Sequence, residues 1–138
     1  MDQLTKVWAV AALSDGPIEL IDGFLQLRLT RNPGAAFSSF TGGGPFLGAI
    51  AAVVAVAIAF LLPQIEERLD RVALSLVMGG ALGNFVDRIF RSDGFLDGAV
   101  VDFIDFSFFP TFNVADSSIS IGVALMLYSA LFRKEPAA

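Results

Sequence analysis

Residues 45–62, PFLGAIAAVVAVAIAFLL, constrain this chain more than any other segment. The run carries no charge, opens at Pro45 and is closed by Pro63. At about 1.5 Å per helical residue it nearly crosses a hydrocarbon core of about 30 Å, so it is read as a transmembrane helix. The rest of the chain agrees with the bilayer as solvent. Charged residues make up 17% of the 138 residues, against about 25% in a soluble domain. Mean hydropathy is +0.71. Phe occurs 14 times, often beside charged or turn-forming positions, and aromatic rings collect at membrane interfaces, Trp and Tyr more clearly than Phe.

Two further spans follow. QIEERLDR (64–71) reads as a short charged loop, and a helix over 69–90 contains the apolar run that begins at Val72. Within it Gly79 and Gly83, and Gly80 and Asn84, stand four apart, a spacing that lets helix backbones approach closely in lipid. Residues 91–111 alternate Phe, Asp and Gly and read as a non-helical connection; 112–132 is the next span, stopped by Arg133 and Lys134. The N-terminal stretch 1–13 is too short to span. It reads either as the tail of a signal peptide, for which the basic start is missing, or as half of a first transmembrane helix, which is the favoured reading. About 15–25 further apolar residues upstream would complete it. Leu25 to Leu29 alternate apolar and polar, a half-buried strand pattern, and TGGG (41–44) reads as a hinge. Residues 17–44 are thus expected to form an extended surface element in a single 138-residue domain. Orientation is not encoded in charge: Arg68, Arg71, Arg133 and Lys134 on one side balance Arg28, Arg31, Arg88 and Arg91 on the other.

The chain has no Cys and no His. Thiol nucleophiles, Ser-His-Asp triads and His-based zinc sites are therefore excluded. The net charge of −5 gives no support to nucleic-acid binding. Acid–base chemistry is left to carboxylates, Lys6 or Tyr128. Ionisable groups within spans are costly and mark candidate sites: Asp2, Lys6, Asp87, Arg88, Asp102, Asp105 and Asp116. In a helix, Asn113, Asp116, Ser117 and Ser120 form one polar stripe, unless Asn113 or Asp116 merely caps it. Gly80, Gly83, Asn84 and Asp87 share a face, which is otherwise a packing surface with Arg88 snorkelling beside it. Asp102 follows a β-branched pair that reads as extended; Asp105 fits an ordinary solvated loop carboxylate. Two carboxylates in one low-dielectric pocket share a proton. Such a pair can activate water with one member and protonate a carbonyl with the other. Spacing alone does not choose the pair among Asp87, Asp102, Asp105 and Asp116.

Five blocks carry a specific resemblance: DQLTK (2–6), NPGAAFS (32–38), GGALGNFVDR (79–88), VVDFIDF (100–106) and FNVADSS (112–118). Together, and in this order, they resemble the lipoprotein signal peptidase (signal peptidase II) family. The resemblance implies a mainly α, polytopic membrane protein: a four-helix bundle, its first helix truncated here, with a small extracytoplasmic β cradle over 17–44. It implies an aspartic endopeptidase of the bacterial cytoplasmic membrane, its active site toward the extracytoplasmic face. Such an enzyme removes signal peptides from diacylglyceryl-modified prolipoproteins, cutting before the lipidated Cys. No metal or cofactor is implied, and the chain is taken as a monomer that meets its substrate in membrane lipid. Asp102 and Asp116 match the family's catalytic pair. Asn32, Gly34, Asn84, Asp87, Arg88, Asn113 and Ala115 match its binding or supporting positions, with Asn32 and Asn113 assigned to substrate or carbonyl contact and Asp87 with Arg88 to holding the site. Asp2 and Lys6 match a polar pair of the first helix. The interval between Asp102 and Asp116 is a few residues shorter than the family's, so substrate gating there is expected to differ. The competing reading is a small proton-coupled transporter or channel subunit using Asp87 and Asp116 as a relay. A third is a non-catalytic membrane assembly protein, in which replacing either Asp changes abundance rather than turnover.

Overall fold

The computed structural model describes residues 1–34, 43–91, 96 and 98–132. Its helices are α1 (Asp2–Ala12), α2 (Gly44–Leu61), α3 (Arg68–Phe90) and α4 (Val114–Phe132); its strands are β1 (Ile18–Ile21), β2 (Leu25–Asn32) and β3 (Val100–Phe106). Among the described residues, three helices are long and apolar enough to cross a membrane: α2 with the 3-10 turn that follows it, α3 and α4. Their apolar side chains point outward, with Phe60 at 74% and Leu131 at 75% exposure. A helix apolar on its outer face needs lipid or protein against it. α1 is short and docks instead on the sheet, where Ala9 and Leu13 bury against Val101 and Phe103.

The boundaries differ from expectation in places with clear causes. α3 begins at Arg68, so the charged loop shrinks to 65–67. Glu67 is extended at the cap position, Asp70 sits in the first turn, where a carboxylate suits the positive end of the helix dipole, and Arg71 folds back onto the Ile65 carbonyl at 2.7 Å. α4 begins at Val114 rather than 112, because Asn113 is its cap. Its carboxamide oxygen accepts from the Asp116 N–H at 2.9 Å, while the Asp116 carboxylate accepts from the Asn113 N–H at 3.1 Å. This reciprocal box satisfies two amides that the helix start leaves free.

The sheet runs β1-β2-β3, all antiparallel. Two strands fall inside the expected 17–44 element. The third comes from the 91–111 connection, which is a strand at its end and not wholly irregular. β3 is buried at five of its seven positions, including four in a row, so the period-two alternation that betrays a half-exposed strand is missing. Its register sets Asp102 opposite Thr30 and Val100 opposite Asn32. Because β2 leads toward α2, α3 leads toward β3 and β3 leads to α4, the sheet lies at one end of the three spans. The remainder of the NPGAAFS block, part of the TGGG hinge, and Arg133 with Lys134 lie outside the described residues.

α3 and α4 pack through glycines, and of those singled out by spacing Gly80 and Gly83 approach α4 while Gly79 does not. A methyl group on Gly80 would collide with the Ala115 carbonyl oxygen and the Ile119 side chain, and one on Gly122 would stand 2.6 Å from the Ala73 carbonyl oxygen. Gly79 faces open space. Gly80→Val is therefore expected to push α3 off α4 and cost about 1–3 kcal/mol, while Gly79→Ala is tolerated. Thermal unfolding of the two purified variants in one detergent checks the contrast.

Candidate active site

The site is assembled where α1, α3 and the start of α4 meet the sheet. Asp87, on the last turns of α3, is fully buried. One carboxylate oxygen accepts from Gln3 at 3.0 Å and Arg91 at 2.7 Å; the other takes Lys6 at 2.9 Å and the Val101 N–H at 3.0 Å. One side chain thus ties α1, α3 and β3. Asp2 does similar work for α4. Its Oδ1 accepts from the Ala115 N–H at 2.9 Å, and its Oδ2 pairs with Lys6 at 2.9 Å. The space it fills is left by Gly83, where a methyl group would lie 2.6 Å from Asp2 Oδ2 and 3.2 Å from the Ala115 side chain.

Lys6 is fully buried. Besides Asp2 and Asp87 it donates to Asn84 Oδ1 at 2.9 Å. Asn84 Nδ2 in turn donates to Asp116 Oδ1 at 2.8 Å. Asn113 is fully buried as well. Its Nδ2 donates to Asp102 Oδ1 at 2.6 Å and to Asn84 Oδ1 at 3.2 Å. Asp102 Oδ2 meets Asn32 Nδ2 at 3.3 Å, and Asn32 Oδ1 holds the Gly34 N–H at 3.0 Å. Arg88 is 5% exposed and donates to the Gly34 carbonyl at 3.2 Å. It is an interior tie between α3 and the end of β2, not a snorkelling side chain.

Asp102 and Asp116 open onto one cavity of about 1220 Å³. Asn32, Asn84 and Arg88 share its polar wall; Leu47, Ile50 and Val54 of α2 line its apolar depth, and Phe108 and Phe109 stand at its rim. Asn113 is not in the wall. It is fully buried, with its amide committed to Asp102, Asn84 and the Asp116 N–H. Burial, and next the charge of Asp116, push the Asp102 carboxyl up to about 6, against the pull of hydrogen bonds from Asn113 and Asn32 and of the Lys6 charge.

Asp105 stands apart, and it is not a solvated loop carboxylate. It is on β3, 8% exposed, and bound by Arg28 at 2.8 Å, Gln26 at 2.7 Å and Thr111 at 3.1 Å. The Arg28 hydrogen bond holds its pKa below the ordinary carboxylate value. Gln3 and Arg91 join the buried network although neither was singled out. Arg91 carried a usable signal, four residues after Asp87 on one helix; Gln3 carried only its place in the DQLTK block.

Membrane-capable helices with a small sheet at one end, and two aspartates in one cavity there, define a multi-pass membrane hydrolase of the aspartic type. Comparison narrows this. The family model described as signal peptidase (SPase) II matches residues 1–132. The lipoprotein signal peptidase of Rhodococcus jostii (strain RHA1) is 44% identical over 136 residues, 98% of this chain and 69% of the relative. That of Shouchella clausii (strain KSM-K16) is 43% identical, covering 96% and 87%. A solved bacterial membrane enzyme, determined by the in meso method at 2.3 Å resolution, superposes with a TM-score of 0.79 at 35% identity, covering 99% of this chain and 87% of that one. This chain belongs to the signal peptidase II family. It is a membrane peptidase that removes lipoprotein signal peptides, and the transporter reading is not favoured.

Proposed function

We propose that Asp102 and Asp116 are the catalytic pair of this peptidase, acting on prolipoproteins whose Cys carries diacylglycerol. The observation that carries the reading is Asn113: one buried side chain bonds Asp102 and is locked by Asp116, so both carboxylates are held together over one cavity. Asp102, with the raised proton affinity, holds the shared proton when the cavity is closed over substrate. Asp116, bonded only by donors, takes a proton from the attacking water. The water oxygen bonds to the scissile carbonyl carbon as Asp102 protonates the carbonyl oxygen. On collapse the C–N bond breaks, Asp116 returns its proton to the leaving amine, and the new carboxyl group restores the proton of Asp102. No charge leaves the cavity, which suits a low-dielectric site.

Asn32 is the polar group best placed to meet the substrate, since it lines the cavity beside Asp102. Asn113, Asp87, Arg88 and Ala115 are assigned to support. The apolar wall of α2 suits the hydrophobic part of a signal peptide and the acyl chains of the modified Cys. One chain supplies every group in this account, which favours a monomer. With the sheet and both aspartates at one end of the spans, the site is assigned to the extracytoplasmic face of the bacterial cytoplasmic membrane, where lipid-modified precursors lie.

The test is cleavage of paired lipobox peptides, one with diacylglyceryl-Cys and one with free Cys, by enzyme in lipid or detergent. Cleavage before the lipidated Cys is expected, with kcat/KM at least about 100-fold lower for the free thiol peptide. The lost apolar contacts, at about 0.8 kcal/mol per buried CH₂, readily supply that ratio. Equal cleavage of both would remove the lipid from the specificity.

A further inference from the structure

We propose that Lys6 is a positioning residue for the reaction: it locks the Asn84 carboxamide with its nitrogen toward Asp116, and thereby keeps Asp116 the water-activating member of the pair. The proposal rests on the assignment of Asp102 and Asp116 as that pair. It starts from hydrogen-bond direction. An ammonium group has three donors and no acceptor. Lys6 spends them on Asp2 Oδ2, Asp87 Oδ2 and Asn84 Oδ1, each at 2.9 Å. The atom it meets on Asn84 must be the oxygen, because a flipped amide would set NH₂ against NH₃⁺ in the interior. A second donor enforces the same choice. The Asn113 amide cannot flip, since its oxygen accepts from the Asp116 backbone N–H, so its nitrogen also points at Asn84 Oδ1. With its oxygen held twice, Asn84 can only donate to Asp116.

The consequence falls unequally on the two carboxylates. Both oxygens of Asp116 face obligate donors, Asn84 Nδ2 at 2.8 Å and the Asn113 N–H at 3.1 Å. Asp102 has one short partner at 2.6 Å and one long contact at 3.3 Å. The looser Oδ2 of Asp102 is the place for a proton, and Asp116 is kept as acceptor. Lys6, on α1 and away from the cavity wall, sets that division through one intervening side chain.

The test is a double-mutant cycle. Lys6→Met alone strands Asp2 and Asp87, so the cycle is built on Asp2→Asn, in which Asp87 keeps Gln3 and Arg91. Lys6→Met, Asn84→Ala and both together are introduced there, with Asp102→Asn and Asp116→Asn in the unaltered chain as controls. Folded enzyme is matched by thermal unfolding, and kcat and KM are measured on the diacylglyceryl peptide. Lys6→Met is expected to lower kcat on the order of 10- to 100-fold, the size of a lost hydrogen bond to a charged group, with KM within about threefold. On top of Asn84→Ala it should change kcat less than about twofold, because the path it acts through is gone. Losses that multiply, or a Lys6→Met loss that disappears once activity is expressed per folded molecule, would overturn the positioning role. If the Asp102→Asn or Asp116→Asn control still cuts, the pair itself is misassigned; if both controls are dead and the losses multiply, only the role of Lys6 fails.

Discussion

Asp102→Asn is expected to lower cleavage by about 10²–10⁴-fold or more, and yet to leave a protein that unfolds at a temperature no lower than the wild type. The two halves of this result have one cause. Asp102 is 3% exposed, and its carboxyl is pushed up to about 6 from 3.8, first by burial and then by the Asp116 charge. A carboxylate whose folded pKa is raised binds protons more readily folded than unfolded. Stability is therefore lost as pH rises from about 3.8 to about 6, and the penalty is fully present above that window. An asparagine carries no charge to desolvate. At pH 7–8 the variant should gain about 1–3 kcal/mol, less whatever its new amide loses against Asn32. Below about pH 3.8 both proteins hold a neutral group at 102, and the difference should vanish. Parallel melts of the two proteins from pH 3.5 to 8 measure it. A variant that melts lower than wild type at pH 8 would show that the Asp102 charge is compensated, which would weaken it as the proton-holding member. Asp116→Asn is expected to be equally inactive, since its oxygen can still accept from the Asn113 N–H but cannot take a proton from water.

The contrast between these residues and their supports bears on what the sequence could reveal. The spans were legible because an uncharged run of 45–62 has few other fates, and β2 because apolar and polar residues alternate from Leu25 to Leu29. β3 was not: buried at most positions, it offers no alternation, and its two aspartates imitate a loop. The same aspartates differ in role for a reason invisible in one dimension. Gln26 and Arg28 lie across from Asp105, whereas Thr30 and Asn32 flank Asp102, so only Asp105 finds a cation on the neighbouring strand. Asn113 was expected either to cap α4 or to serve the site. It does both, because a cap residue's side-chain oxygen is consumed by the helix while its nitrogen remains free to reach Asp102. The Lys6 to Asn84 bond joins residues 78 positions apart, and no local pattern announces such a pairing; only the cost of burying each group says that a partner must exist.

Asp87→Ala is expected to behave in the opposite sense to Asp102→Asn, losing the fold before the chemistry can be measured. Asp87 has no place in the proposed proton transfers, but it receives four hydrogen bonds, from Gln3 and Lys6 of α1, from Arg91 just past α3 and from Val101 of β3. Without it, Lys6 keeps Asp2 and Asn84 and Gln3 keeps the Gly83 carbonyl, while the Val101 N–H loses its acceptor in the interior. Breaking a buried ion pair from one side costs about 3–5 kcal/mol, a large share of the stability of a chain this small. The loss should appear as a lower melting temperature and less monodisperse protein in detergent. Asp87→Asn, which keeps an acceptor for the Val101 N–H but loses the charge opposite Lys6, should fall between the two. Cleavage per folded molecule is the deciding quantity. If Asp87→Asn folds and cuts within about tenfold of wild type, Asp87 is a brace. If it folds as well as Asp102→Asn and is as dead, Asp87 touches the reaction, and the choice of Asp102 and Asp116 over the other aspartates must be reopened.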